Sequence, residues 1–250
     1  MAKQTRRAVD RDTKRRGETV IPDYEREAPR PAFRAPPPLE PQTDAQRHYM
    51  KAIKSSKLTF GTGPAGTGKT YVAGALAAEL LTSKRVEKII ITRPGVEAGE
   101  RFGFLPGEIE DKYAVYIEPF MDVLTERMGK GHVEYCMRTG KIKGAPLAFM
   151  RGSTFKNAVV IFDEAQNATP TQMKMFLTRI GEDCTIVVNG DINQKDIPGP
   201  SGLAHAVKLI RSVPGVRVVE FTRADIVRSG LVQLVVEKYE QEAEALALAA

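Results

Sequence analysis

Cysteine and histidine are scarce in this chain, and their scarcity closes off several chemistries before any motif is read. Cys136 and Cys184 are the only thiols. Two cysteines cannot build a disulfide framework or a four-ligand zinc site, and neither has a Cys or His at ligand spacing. Free, buried thiols in a reducing compartment are the expectation. His48, His132 and His205 are scattered and are assigned no chemistry. Long apolar runs are missing too: the longest, such as Ala158 to Phe162, are strand-sized, far short of the roughly 18 residues of a membrane span. The opening Met1-Ala2-Lys3-Gln4-Thr5-Arg6-Arg7 has no apolar core of a secretory signal, so a cytoplasmic protein without a membrane partner is expected.

What is present fits one sizeable domain with appendages. The 250 residues are 42% hydrophobic and 27% charged, which excludes a wholly disordered or fibrous chain. The net charge of +6 is concentrated at the start, where residues 1–16 carry seven basic groups against Asp10 and Asp12. Such an arm is either a solvated terminus or a weak RNA or DNA contact. Prolines from Pro22 to Pro41 disfavour helix and sheet, so residues 1–41 read as a basic, flexible arm and linker. Residues 42–240 read as one folded domain, and 241–250 as a C-terminal tail that favours helix but frays.

Within the domain, Thr43-Asp44-Ala45-Gln46 offers a helix cap, with Tyr49, Ile53 and the stem of Lys57 following at helical spacing. Short β-rich runs then appear at 58–62, 88–92, 158–162, 185–189 and 216–221. Helix-length segments lie at 70–81, 109–128, 170–180 and 202–211, and a further helical run follows Asp225. Strands apolar at successive positions, joined by helices, imply an α/β fold whose mostly parallel sheet is covered on both faces.

Gly63-Pro64-Ala65-Gly66-Thr67-Gly68-Lys69-Thr70 has the GxxxxGK[ST] spacing, between a β-rich run and an Ala/Leu helix. Its glycines let backbone N–H groups curl around a polyphosphate at a helix N-terminus. Lys69 would reach the β and γ phosphates and Thr70 would ligate magnesium, so ATP or GTP with Mg2+ is the expected ligand. The second motif, Val159 to Gln166, is an apolar strand ending in Asp163 and Glu164. Asp163 suits the magnesium shell, and Glu164 suits a general base for an attacking water. A third strand exits into Asn189-Gly190-Asp191-Ile192-Asn193-Gln194. There Gln194 would sense the γ-phosphate and Asp191 would bridge toward a nucleic acid, unless the segment is an ordinary strand-to-turn exit.

These three sites in this order resemble the helicase-like P-loop ATPases, and the wording resembles the PhoH-like family. The resemblance is carried by GPAGTGKT, by Thr92 to Arg101 with Phe102 to Gly107, by Asn157 to Asn167, by Gln172 to Arg179, and by Gly190-Asp191. It implies a RecA-like ATPase core related to superfamily 1 helicases, an association with RNA metabolism and phosphate stress in bacteria, and frequent carriage by phages. It also implies that Gln46 reads adenine, favouring ATP, and that Arg93, Arg101 and Arg151 hold nucleic-acid phosphates. The chain departs from the family at Ser153, where Arg is common, and at Ser229-Gly230, where a His-Pro pair is common. A two-lobed helicase completes its ATP site with an arginine of the second lobe; this chain has residues for one lobe. An arginine from a neighbouring subunit, Arg223 or Arg228, is therefore expected in a homo-oligomeric ring, and the family implies a hexamer. The function so implied is ATP hydrolysis coupled to single-stranded RNA or DNA. The alternatives are a small-molecule phosphotransferase and a nucleotide-switched assembly module.

Overall fold

The computed structural model describes residues 33–94, 109–194 and 196–227, together with 230, 232, 234, 235, 238 and 239. The chain divides into two units, Met1–Phe33 and Arg34–Ala250, and the fold below is that of the second. Within it, residues 34–41 carry no regular element. The rest of the expected arm and the tail 241–250 lie outside the described residues.

Six strands form one sheet: β1 (Leu58–Thr62), β2 (Lys88–Thr92), β3 (Ile142–Gly144), β4 (Ala158–Phe162), β5 (Thr185–Gly190) and β6 (Val216–Glu220). Their order is β3-β2-β4-β5-β1-β6 and every pairing is parallel. A parallel sheet puts all its carboxyl ends on one edge, so Gly63, Arg93, Asp163, Asp191 and Phe221 leave the sheet on the same side.

Among the described residues, helices α1 (Asp44–Ser55), α2 (Lys69–Thr82), α3 (Ile109–Met128), α4 (Lys130–Arg138), α5 (Pro170–Leu177) and α6 (Gly202–Ile210) cover it. Strand alternation splits the core in two. Val159 and Ile161 of β4 join one cluster with Tyr49 and Ile53 of α1, Leu76 of α2 and Ile117 of α3. Ala158, Val160 and Phe162 of the same strand join the other, with Phe176 of α5 and Leu203 of α6. Both faces of β4 are thus dry, the reason its sequence is apolar at every position. Phe176 anchors the second layer, with ring centroids 4.7 Å from Phe162 and 5.7 Å from Phe155. This is the doubly covered parallel α/β sheet that the sequence predicts.

Boundaries differ in places. α1 ends at Ser55, so Lys57 is not on it but exposed in the approach to β1. α5 stops at Leu177, because Ile180 is drawn into a parallel bridge with Phe155. α4 and β3 are additional elements. Cys136 and Cys184 are buried free thiols, one in each core layer. Among the described residues, no helix is long and apolar enough to cross a membrane.

Candidate nucleotide site

The loop from Gly63 to Lys69 connects fully buried β1 to α2 and cannot carry side chains at its bends. Gly63 has φ +131°, and a Cβ there would lie 2.2 Å from the carbonyl oxygen of Phe221. Gly68, at φ +80°, would press its Cβ to 2.8 Å from Gln46 Nε2. Gly68 caps α2 without any side-chain hydrogen bond, and the first turn of the helix opens there with the dipole end that favours an anion. Lys69 Nζ donates to Gly63 O at 2.7 Å, Pro64 O at 2.6 Å and Thr67 Oγ1 at 3.0 Å. The ammonium therefore sits across the mouth of the loop.

Behind the loop, α1 braces it. Thr43 Oγ1 accepts the N–H of Gln46 at 3.2 Å. Gln46 Nε2 donates to Thr67 O at 3.1 Å while its Oε1 accepts the Gln42 N–H at 2.8 Å. Tyr49 donates its hydroxyl to Asn189 at the end of β5 and packs edge-on to Phe221 at 5.4 Å. Burial, with the nearby Asp163 charge, raises the Tyr49 phenol well above its ordinary value, against the Asn189 hydrogen bond. Tyr49 is a neutral strut.

Asp163 follows β4, its N–H bonded to Thr92 O at 2.9 Å. The residue is 2% exposed, and its carboxylate lies 3.4 Å from Thr70 Oγ1 through both oxygens. Arg93 Nε and Nη2 donate to Asp163 Oδ2 at 3.1 and 2.7 Å. Burial raises the Asp163 carboxyl above its usual value; the Arg93 charge and hydrogen bonds oppose this, Glu164 adds to it, and Thr70 opposes it. A hydroxyl and a carboxylate side by side are hard oxygen donors of the type magnesium takes, so Thr70 and Asp163 fit that ion.

Glu164 occupies the left-handed region at φ +53°, which turns its side chain away from the strand direction. Gln166 Nε2 donates to Glu164 Oε2 at 2.7 Å, and Gln166 Oε1 accepts the Asp191 N–H at 3.1 Å. Gly190 makes room for that amide, since a Cβ there would stand 2.4 Å from Gln166 Oε1. Gln166 thus ties Glu164 to the end of β5. No role for it was read from the sequence, although its place two residues after Glu164 was the available signal.

Loop, carboxylates and third strand meet at one cavity of about 290 Å³. Gly63, Ala65, Gly66, Gly68, Lys69, Thr70, Asp163, Glu164 and Gln194 line it, and Gln166 lines it too. Pro64 and Thr67 hold the loop from inside. Asp191 is buried but also lines the cavity, and its Oδ1 accepts the Asn193 N–H at 3.0 Å, closing the turn after β5.

The arginines are less gathered. Arg93 is committed to Asp163, with a side chain 18% exposed. Arg151 is exposed in the turn between β3 and β4. Arg223 opens a short 3-10 turn, Arg223–Asp225, and just beyond it the Val227 N–H donates to Gly66 O at 2.9 Å. Phe221, 5.6 Å by its ring centroid from Lys69 Nζ, and Val227 are neighbours of the loop that the sequence did not reveal. Arg101 and Arg228 lie outside the described residues.

Protein PhoH of Escherichia coli (strain K12) is 50% identical over 206 residues, covering 81% of this chain and 58% of that protein. A PhoH-like protein of Bacillus subtilis (strain 168) is 46% identical over 203 residues, covering 80% and 64%. The chain spans about three-fifths of the length of these relatives. Among solved structures, the Pif1 helicase of Candida albicans aligns with a TM-score of 0.39 at 14% identity, over 74% of this chain and 41% of that one, a likeness too loose to carry argument. The family described as PhoH-like protein matches residues 38–240, and the chain belongs to the PhoH family.

Proposed function

We propose that the protein is a magnesium-dependent ATPase whose turnover is coupled to single-stranded nucleic acid, RNA in preference to DNA. The observation that carries the reading is the meeting of the glycine loop at a helix N-terminus, Lys69, the Thr70 and Asp163 oxygens, and Glu164 around one cavity. Lys69 would exchange its three loop acceptors for β- and γ-phosphate oxygens. Magnesium, held by Thr70 and Asp163, would neutralise phosphate charge. Glu164, steadied by Gln166, would take a proton from water as the water oxygen bonds to the γ-phosphorus. The bond from that phosphorus to the β–γ bridging oxygen would break, leaving ADP and inorganic phosphate. Gln194 would bond the γ-phosphate through its amide.

Gln46, already hydrogen-bonded to the loop, would read the adenine edge. A finger supplied by Arg223 or Arg228 of a neighbour in a ring, hexameric by family resemblance, would complete the site. Arg101 and Arg151 would hold nucleic-acid phosphates, and a cytoplasmic place of action belongs to the same reading.

The test is phosphate release by purified protein with magnesium, with and without single-stranded RNA. Turnover is expected to rise with RNA and to vanish in Lys69→Ala. Release that ignores Lys69 overturns the nucleotide site; release that ignores RNA and DNA overturns the coupling.

A further inference from the structure

The sheet register places Arg93 and Asp163 side by side. Thr92 and Phe162 are the last paired residues of β2 and β4, and the Asp163 N–H to Thr92 O bond carries the pairing one step on. The next residues are the arginine and the carboxylate. Arg93 is fixed at its backbone: its N–H donates to Tyr113 Oη at 2.7 Å, and that hydroxyl lies 3.4 Å from the Arg93 carbonyl. Tyr113 is fully buried in α3. The guanidinium carbon lies 5.8 Å from the Phe120 ring centroid. Only side-chain torsions are free to change, and they decide whether the guanidinium stays on Asp163 Oδ2.

We infer that Arg93 is a positioning residue that couples the Asp163 carboxylate to single-stranded nucleic acid. While Asp163 has no other counter-charge, its Oδ2 accepts both donors of Arg93 and holds the guanidinium at the sheet edge. When a divalent cation neutralises Asp163, the attraction is lost and like-charge repulsion replaces it. Arg93 then turns outward and bonds a backbone phosphate. By reciprocity, a strand that captures Arg93 strengthens cation and nucleotide binding by the same factor. The inference rests on the nucleic-acid part of the proposed function and goes beyond it, because it makes one ion pair the link between the two sites.

The experiment measures the affinity of a labelled 20-nucleotide single-stranded RNA by fluorescence anisotropy at several salt concentrations. Four proteins are compared in EDTA: wild type, Asp163→Asn, Arg93→Ala and the double variant. Asp163→Asn is expected to bind RNA about fivefold or more tightly than wild type, with a salt slope steeper by about 0.7, the mark of one added phosphate contact. The double variant is expected to show neither change. Wild type given magnesium and a non-hydrolysable ATP analogue should gain the same factor, and Arg93→Ala should not. That last comparison leaves Asp163 untouched and decides the matter if Asp163→Asn fails to fold. RNA binding that is normal in wild type but unmoved by Asp163→Asn and by magnesium with nucleotide overturns the coupling alone. A gain that persists without Arg93 does the same. Wild type that binds no single strand overturns this inference together with the nucleic-acid reading.

Discussion

Two side chains, Glu164 and Gln166, show how a single amide tunes the site. Glu164 begins a turn in the left-handed region, so the backbone alone leaves its carboxylate with several directions to point. The hydrogen bond from Gln166 selects one, and the Asp191 N–H holds Gln166 in turn. Glu164→Gln should lower single-turnover phosphate release by about 10² to 10⁴. Gln166→Ala should lower it by up to about 100-fold, the cost of a misplaced reacting group, with nucleotide affinity little changed. Wild-type release by Gln166→Ala would remove its role. Asp163 makes a second residue-scale case, now in pH. Burial raises its carboxyl against the lowering effect of Arg93. The folded chain therefore holds this proton where the unfolded chain has lost it. Stability from this group is present below the ordinary carboxylate value of about 3.9, falls as pH climbs through the raised value, and is level above. Arg93→Ala removes the opposition and extends the fall to higher pH. Melting curves in EDTA should show the gap between variant and wild type widening from the acidic to the neutral side; a gap independent of pH would contradict the assignment.

At the scale of elements, legibility followed burial. β4 and β5 are apolar at consecutive positions because helices cover both faces, so strand, parallel pairing and layer class could all be read from one run. The cap Thr43 and the capping box of Thr169 with Gln172 mark helix starts chemically. α4 and β3 escaped for the opposite reason: α4 buries only Val133 and Cys136, and β3 is three residues long with one buried. Neither leaves a periodic stripe. The candidate site divides the same way. Lys69, Thr70, Asp163 and Glu164 sit in contiguous motifs, whereas the Arg93–Asp163 pair is set by β2–β4 register and the Phe221 contact by β1–β6 pairing. Both are long-range facts that no local spacing encodes. The turn at 178–180 shows tertiary pairing overriding helix propensity, since Ile180 leaves α5 to bridge Phe155.

At the scale of the whole molecule, the proposed arginine finger would come either from the nucleotide's own subunit or from the next subunit of the proposed ring. The chain's own 222–227 segment runs beside its own loop, through the Val227 N–H to Gly66 O bond. Its turn is held by Asp225, which accepts from Thr222 N and Oγ1 at 2.9 and 3.0 Å. In the proposed ring, Arg223 or Arg228 would serve either its own nucleotide or the next subunit's. Subunit mixing separates the two. Lys69→Ala chains hold no nucleotide but keep their arginines; Arg228→Ala or Arg223→Ala chains hold nucleotide but lack one. Each preparation alone should be nearly inactive, since an arginine finger contributes roughly three to five orders of magnitude in turnover. In a randomly mixed ring of equal parts, about a quarter of the head-to-tail junctions join an intact loop to an intact arginine. Turnover should then return to about a quarter of wild type, for whichever arginine acts across the junction. An arginine that acts within its own subunit gives no recovery at any mixing ratio, because no chain in the mixture carries both intact parts.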